Sequence, residues 1–390
     1  MTRRTDNAAS ALLPAGMSDL LPPEAAFEAR VIEHLMSCFA AYGYERIKPP
    51  LMEFEESLLR GPGAATANDA FRLMDPVSQR MMAIRADMTP QIARIAGSRL
   101  GNAPRPLRLS YAGQILRVRG TQLRGARQFG QVGVEIIGAD TQSADTEVIL
   151  MAAESLTKLG IAGLSVDLCT PTLVPAVCND LGLSAAAMAA LKTALDRKDA
   201  AGIEALRDEF GDDATELFAA LLAATGDAVT MMDRLAAIDL GPGASRERDA
   251  LQAVVSIIHE ETPDLAVTID PVERRGWEYH SGISFTFFAK GARGELGAGG
   301  RYVTGDTSDT GSSSDSSDDC GGDTSDTGDD GCSISRRRRP RRPRLSIIVM
   351  ALLGLVAPLR RATRPRQRQR SSLGVRLRRL ARSLATSWRR

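Results

Sequence analysis

The strand-like run Arg127-Gln128-Phe129-Gly130-Gln131-Val132-Gly133-Val134-Glu135 sets three side chains capable of polar chemistry at alternate positions. A period of two puts Arg127, Phe129, Gln131, Gly133 and Glu135 on one side and Gln128, Gly130, Val132, Val134 and Ile136 on the other. The second set is a packing face. The first lines up a guanidinium, an amide and a carboxylate on a strand that otherwise reads as buried, and desolvating them is costly unless partners or a ligand satisfy them. Two readings stay open: the solvent-facing side of an antiparallel sheet, or the floor of a pocket for a small zwitterionic or phosphorylated ligand. Further along the chemistry thins. Asp87 precedes Thr89-Pro90, which reads as a helix N-cap with proline at the first helical position, and Asp87 itself reads as a second capping carboxylate. His280 lies in an aromatic strand, where a histidine is commonly a satisfied core residue; a hydrogen bond to a ligand is the sharper alternative.

These groups need a scaffold, and the chain supplies a regular one. Residues 24–42 carry Phe27, Val31, Leu35 and Phe39 four apart, the buried stripe of an amphipathic helix. Phe71–Met74 and Met81–Arg85 read as hairpin arms around Asp75-Pro76, and Tyr111 to Gly138 as two strands joined by an arginine-rich loop. A helix over 143–164 and a strand at SVDLC follow. Alanine-rich helical runs then fill 172–263, and strands resume at AVTID and through GWEYHSGISFTFFAKG. In that last strand Trp277, Tyr279, Ser281, Ile283, Phe285 and Phe287 share a face.

The net charge of the 390 residues is +1, which by itself points to no partner. Five cysteines without CxxC spacing argue for a reducing compartment and against a structural zinc site. No metal and no cofactor is expected. The first residues lack the apolar core of a secretory signal, and the longest apolar run, Ile347 to Leu359, is too short to cross a bilayer. The expected location is the cytoplasm, with no membrane partner.

After Tyr302 the composition changes abruptly. Val303 to Ser335 is built of Asp, Ser, Thr and Gly without a basic residue, and Ser335 to Arg390 is rich in arginine without an acidic one. Residues 303–390 are therefore expected to form a disordered tail beyond a folded unit at 1–302. Three origins are open: a self-neutralising disordered segment, an arginine surface for nucleic acid or anionic membrane, or an out-of-frame reading of a GC-rich gene from about codon 303.

The 127–135 strand, with Leu116-Arg117-Val118-Arg119 before it, resembles motif 2 of the class II aminoacyl-tRNA synthetases in its histidyl form. Arg275-Gly276-Trp277-Glu278-Tyr279-His280 resembles a motif peculiar to that branch, and GYERIKPPLMEFEESLL resembles the motif used for dimerisation. The resemblance spans roughly 14–302 and implies an α+β fold: an antiparallel sheet flanked by helices, split by a helical insertion at about 172–263. It also implies a histidine site, with Asp87, Thr89 and Gln131 toward the ammonium, Arg117 and Arg275 toward the carboxylate, and Glu135 with Tyr279 or His280 toward the ring. Three departures turn the expectation from synthetase to inactive relative. Arg119 stands where the synthetase carries an ATP-holding carboxylate, and a guanidinium can only donate. The second tyrosine of the Arg275 motif is His280, and no anticodon-binding domain is expected. The family this resembles comprises regulatory subunits of ATP phosphoribosyltransferase, which implies a short-form catalytic subunit as partner, L-histidine as effector, a homodimer within a hetero-oligomer, and no tRNA. A histidyl-tRNA synthetase with a degraded C-terminus is the alternative.

Overall fold

The computed structural model describes residues 13–59, 61–121, 125–274, 280–304 and 345–353. The chain enters through α1 (Glu24–Ala41), whose stripe of Val31, Leu35 and Phe39 is buried as the four-residue spacing requires. Among the described residues the strands are β1 (Glu45–Arg46), β2 (Met52–Phe54), β3 (Arg72–Met74), β4 (Met81–Ile84), β5 (Leu107–Leu116), β6 (Gln128–Ile137), β7 (Leu164–Cys169), β8 (Gly226–Asp227), β9 (Ala266–Asp270), β10 (His280–Ala289), β11 (Gly297–Thr304) and β12 (Leu345–Leu353). Nine of them form one sheet in the order β1-β5-β6-β12-β11-β10-β7-β9-β8, and β2-β4-β3 form a small second sheet. The large sheet is antiparallel except where β1 meets β5 and β7 meets β9.

Helices connect and cover these strands. α2 (Glu55–Leu58) follows β2, α3 (Thr89–Ser98) follows β4, and α4 (Gln142–Lys158) follows β6. The expected helical stretch is α5 (Leu173–Asp180), α6 (Ala185–Asp196), α7 (Ala200–Glu204), α8 (Arg207–Phe210), α9 (Asp212–Ala223), α10 (Ala228–Ala236) and α11 (Pro242–Glu261), interrupted only by the two residues of β8. The α4 helix ends six residues sooner than the sequence pattern suggests, since Leu159 closes it and Gly160 takes φ +83°.

Each face of the large sheet has its own core. Val132, Val134 and Ile136 of β6 join Phe285 and Phe287 of β10 and Val148 of α4 in the larger cluster. On the opposite face Tyr111, Ile115, Ile137 and Tyr302 pack with Met88 and Ile92 around α3. Burying each such large side chain contributes about 1.5–3 kcal/mol. Both faces of β6 are therefore covered from Gln131 onward. The solvent-facing reading of its polar side is ruled out.

The expectation of an unstructured segment after Tyr302 needs correction for eleven residues, Val303 and Thr304 completing β11 and nine more forming β12. Leu345–Leu353 pairs with β11 on one side, Tyr302 opposite Ile347, and with β6 on the other, Val349 opposite Glu135. SIIVMALL, with two isoleucines and a valine, has the β-branched make-up of a strand although acidic and arginine-rich stretches precede and follow it.

Candidate functional site

The β5–β6 hairpin runs in register from Leu107 opposite Ile137 to Leu116 opposite Gln128, which puts Tyr111 opposite Gly133. Cross-strand partners share a face, so the Tyr111 ring lies over the one position between Gln131 and Glu135 that has no side chain to block it. Gln131, Glu135 and Tyr111 are all fully buried.

Gln131 is committed at both ends. Its Oε1 accepts the Met88 N–H at 2.9 Å, and its Nε2 donates to Asp87 Oδ1 at 2.8 Å. The same Asp87 oxygen accepts the Thr89 N–H at 2.9 Å. Asp87 is thus the capping carboxylate foreseen for it, and it is half-buried. Thr89 is not the N-cap: α3 starts at Thr89 itself, with Met88 in the cap position and no side-chain capping bond from it. The Asp87 carboxylate already satisfies the Thr89 amide, so the first turn begins one residue early. The freed Thr89 hydroxyl lies 3.4 Å from the Tyr111 hydroxyl.

Glu135 is the most consequential group. Neither of its oxygens reaches a full hydrogen-bond geometry. Burial pushes its carboxyl well above the ordinary range and the Asp87 charge adds to this, while the nearby Tyr111 and Tyr302 hydroxyls draw it part of the way back. Burial, then Glu135 and Asp87, likewise raise Tyr111. A carboxyl in this setting can accept from a ring nitrogen, and when protonated it can also donate to one. The cluster combines carboxyl and amide acceptors with amide and hydroxyl donors.

Arg117 borders this group. Its Nε approaches the Ala86 carbonyl at 3.4 Å and its guanidinium lies 5.5 Å from the centre of the Phe129 ring. Arg127, on the same strand face, is spent on structure: its N–H donates to the Gly16 carbonyl at 2.7 Å and its guanidinium sits 5.0 Å from the Phe71 ring centre. Arg119 is exposed.

His280 reaches the site from the far side. It pairs with Tyr302 across β10 and β11, and the two rings meet edge to face at 6.4 Å. Between His280 and Ser284 the register slips, yet both side chains fold over Gly300. A Cβ on Gly300 would come within 2.6 Å of Ser284 Oγ and closer still to the His280 ring, so only glycine leaves room. The alternation read along this strand holds for Ile283, Phe285 and Phe287, which are buried in the larger core, while Ser281 is exposed beside the slip. Arg275, Trp277 and Tyr279 lie outside the described residues.

The structure therefore gathers Asp87, Thr89, Arg117, Gln131, Glu135 and His280 about one face of the sheet. It adds Tyr111, Tyr302, Ser284 and the Met88 amide, which sequence reasoning missed. The signal for Tyr111 was its place opposite Gly133, which needs the hairpin register. That for Tyr302 was its spacing two residues after Gly300. A surface groove of about 470 Å³, lined by Glu55, Glu56, Leu59, Arg80 and Met81, lies elsewhere, and its charges pair among themselves as Arg80 with Glu56 and Arg72 with Glu55. Among the described residues no cluster is arranged to hold a metal ion, and no helix is long and apolar enough to cross a membrane.

Comparison with known proteins bears on the fold and the family. The family model described as histidyl-tRNA synthetase matches residues 16–314. A protein of Paramagnetospirillum magneticum named ATP phosphoribosyltransferase regulatory subunit is 56% identical over 77% of this chain and 78% of its own length. One of the same name from Rhodospirillum rubrum is 51% identical over 77% and 78%. Among solved structures, an ATP phosphoribosyltransferase regulatory subunit/histidyl-tRNA synthetase from Bacillus halodurans superposes with a TM-score of 0.72 at 19% identity, covering 99% of this chain and 92% of that one. A chain of an ATP phosphoribosyl transferase complex from Thermotoga maritima does so with a TM-score of 0.57 at 16% identity, covering 83% and 97%. At these identities the structures show the fold: a histidyl-tRNA synthetase-like class II arrangement, α+β, with sheets flanked by helices.

Proposed function

We propose, from the premise that the chain belongs to the family of ATP phosphoribosyltransferase regulatory subunits, that it binds L-histidine at the face just described and passes that signal to a separate catalytic chain. Its own role in histidine biosynthesis is regulatory, not catalytic. Asp87, held by Gln131, faces the ammonium with Thr89; Arg117 faces the carboxylate; Glu135 faces the ring with Tyr111, Tyr302 and His280; the family resemblance assigns Arg275 to the carboxylate and Tyr279 to the ring. The observation that carries this reading is Glu135: a fully buried carboxyl at the centre of a polar cluster, faced by the Tyr111 and Tyr302 hydroxyls. A carboxyl offers more acceptor positions than two hydroxyls fill, and a ligand nitrogen would take one of the rest.

Calorimetric titration of L-histidine into the protein tests the reading. Glu135→Ala is expected to weaken binding by about 10- to 100-fold, the worth of one hydrogen bond involving a charged partner. Equal binding by both proteins would remove Glu135 from the site. The regulatory half is tested by phosphoribosyl transfer to ATP by a short-form catalytic subunit, with and without this chain, at several histidine concentrations. Stimulation that falls as histidine rises is the expected result. Binding can shift the catalytic partner only by its differential affinity for two assembly states.

The folded unit carrying this function takes in residues 14–304 with β12 in its large sheet, and acts in the cytoplasm as a homodimer within a hetero-oligomer. The apolar side chains of Leu51, Met52, Leu73, Met74 and Met81 at the small β2-β4-β3 sheet are exposed, which supports self-association through that face. Sedimentation of the protein alone tests it, and a monomer at micromolar concentration would exclude it.

A further inference from the structure

Lys198 stands in a position that chemistry would normally give to glycine. It follows α6 as the residue after its C-cap, its N–H donates to the Leu195 carbonyl at 3.0 Å, and the Asp199 N–H donates to Ala194 at 2.9 Å. That pair of bonds is the Schellman closure, whose central residue adopts the left-handed conformation. Lys198 has φ +54°, and among the described residues Gln79 is the one other non-glycine with positive φ. An L side chain there costs free energy that glycine does not incur. Such an outlier points toward a use for the side chain.

The use is visible. Lys198 Nζ donates to both oxygens of Asp270, at 2.8 and 2.7 Å, and lies 4.0 Å from Glu273. Asp270 Oδ1 also takes the Val272 N–H at 3.2 Å and the Thr225 hydroxyl at 3.4 Å. One carboxylate, only 8% exposed, thus joins the α6–α7 junction, the segment between α9 and α10, and the end of β9. It matters to the pocket because of where it sits in the sheet. Asp270 pairs with Cys169, Cys169 with Ser284, and Ser284 with Gly300. These residues form one rung on one face, and Ser284 shares with His280 the space above Gly300. Two strand spacings, about 10 Å, separate the clamp from that platform.

We propose that Lys198 is a positioning residue: its grip on Asp270 fixes the end of the rung that seats Ser284 and His280, so the helical insertion sets the shape of the ligand site. The proposal rests on the histidine reading for its consequence but not for its mechanics. Lys198→Gly removes the clamp while relieving the left-handed strain, so the fold survives it; Lys198→Arg restores a bidentate partner for Asp270. In the full chain without ligand, amide hydrogen exchange at His280–Ser284 is expected to be faster in Lys198→Gly than in the wild type and to return in Lys198→Arg. With histidine, Lys198→Gly is expected to bind on the order of tenfold more weakly, and Lys198→Arg to recover most of the affinity. Unchanged exchange at His280–Ser284 in Lys198→Gly overturns the clamp. Faster exchange, with no histidine binding even by the wild type, sustains the clamp and overturns the ligand reading instead.

Discussion

Replacing Asp145 with asparagine is expected to remove a fall in stability that the wild type suffers between about pH 4 and pH 6. Asp145 lies in the first turn of α4, 4% exposed, with Oδ2 held by Arg301 Nη2 at 2.8 Å and Oδ1 buried without a hydrogen-bond partner. Arg301 also binds Asp140 and donates to the Thr141 carbonyl at 2.7 Å, so Asp145 does not have its charge to itself. Burial outweighs the attraction and hydrogen bond of Arg301, with the Asp140 charge adding to it, and pushes the carboxyl from 3.8 to about 6. The folded state therefore holds this proton more tightly than the unfolded state. Stability is fully present below pH 3.8 and is lost as pH rises through about 6. The shift of roughly two units, at about 1.4 kcal/mol each, makes the loss about 3 kcal/mol. Urea denaturation of wild type and Asp145→Asn at unit steps from pH 4 to 7 reads it directly. Glu135 and Asp167, also raised, titrate in both proteins and cancel in the difference. The gap between the two curves is expected to move by about 3 kcal/mol in favour of asparagine as pH rises. Parallel curves would mean that Arg301 compensates burial in full and would refute the reasoning.

Two further substitutions probe the scaffold. Gly113→Ala would drive a methyl group into the Arg85 guanidinium and to 3.3 Å from Met88 Sδ, and Arg85 cannot yield because it donates to Gln114 at 2.8 Å and Pro49 at 3.1 Å. A loss of about 1–3 kcal/mol is expected, seen as a lower thermal midpoint; an unchanged midpoint would show that Arg85 has room to move. Arg108 grips Glu147 through two bonds, at 2.9 and 2.8 Å, with the Tyr44 hydroxyl 3.2 Å from the same carboxylate. Arg108→Met alone should cost about 3–5 kcal/mol by denaturant titration, whereas Arg108→Met with Glu147→Leu should recover most of it, because the stranded charge is what destabilises. Equal losses in the two would contradict that account.

What could be read in the sequence was whatever depends on local period. The alternation in β6 placed Gln131 and Glu135 on one face, and the approach to Thr89-Pro90 marked Asp87 as a cap. What could not be read depends on register between distant segments. Tyr111 enters the site because it falls opposite Gly133, and Tyr302 because β11, distant in sequence, lies two strands from β6. The error at Thr89 has the same origin: which residue caps a helix depends on whether another side chain already serves the first amide. Lys198 was invisible because a lysine does not announce a left-handed turn. β12 was hidden by its neighbours, whose composition drew the whole segment into a single reading.

The place of β12 has a consequence for how the chain is made. The strand that fills the middle of the large sheet is the last of the described strands to be synthesised, separated from β11 by residues 305–344. Until it emerges from the ribosome, β6 and β11 each present an open hydrogen-bonding edge, and the two halves of the sheet have no strand between them. Unpaired edges of this kind are templates for pairing with another nascent chain. Yield in the cell should therefore depend on how quickly translation passes from residue 304 to residue 353, and on chaperones that occupy those edges in the interval.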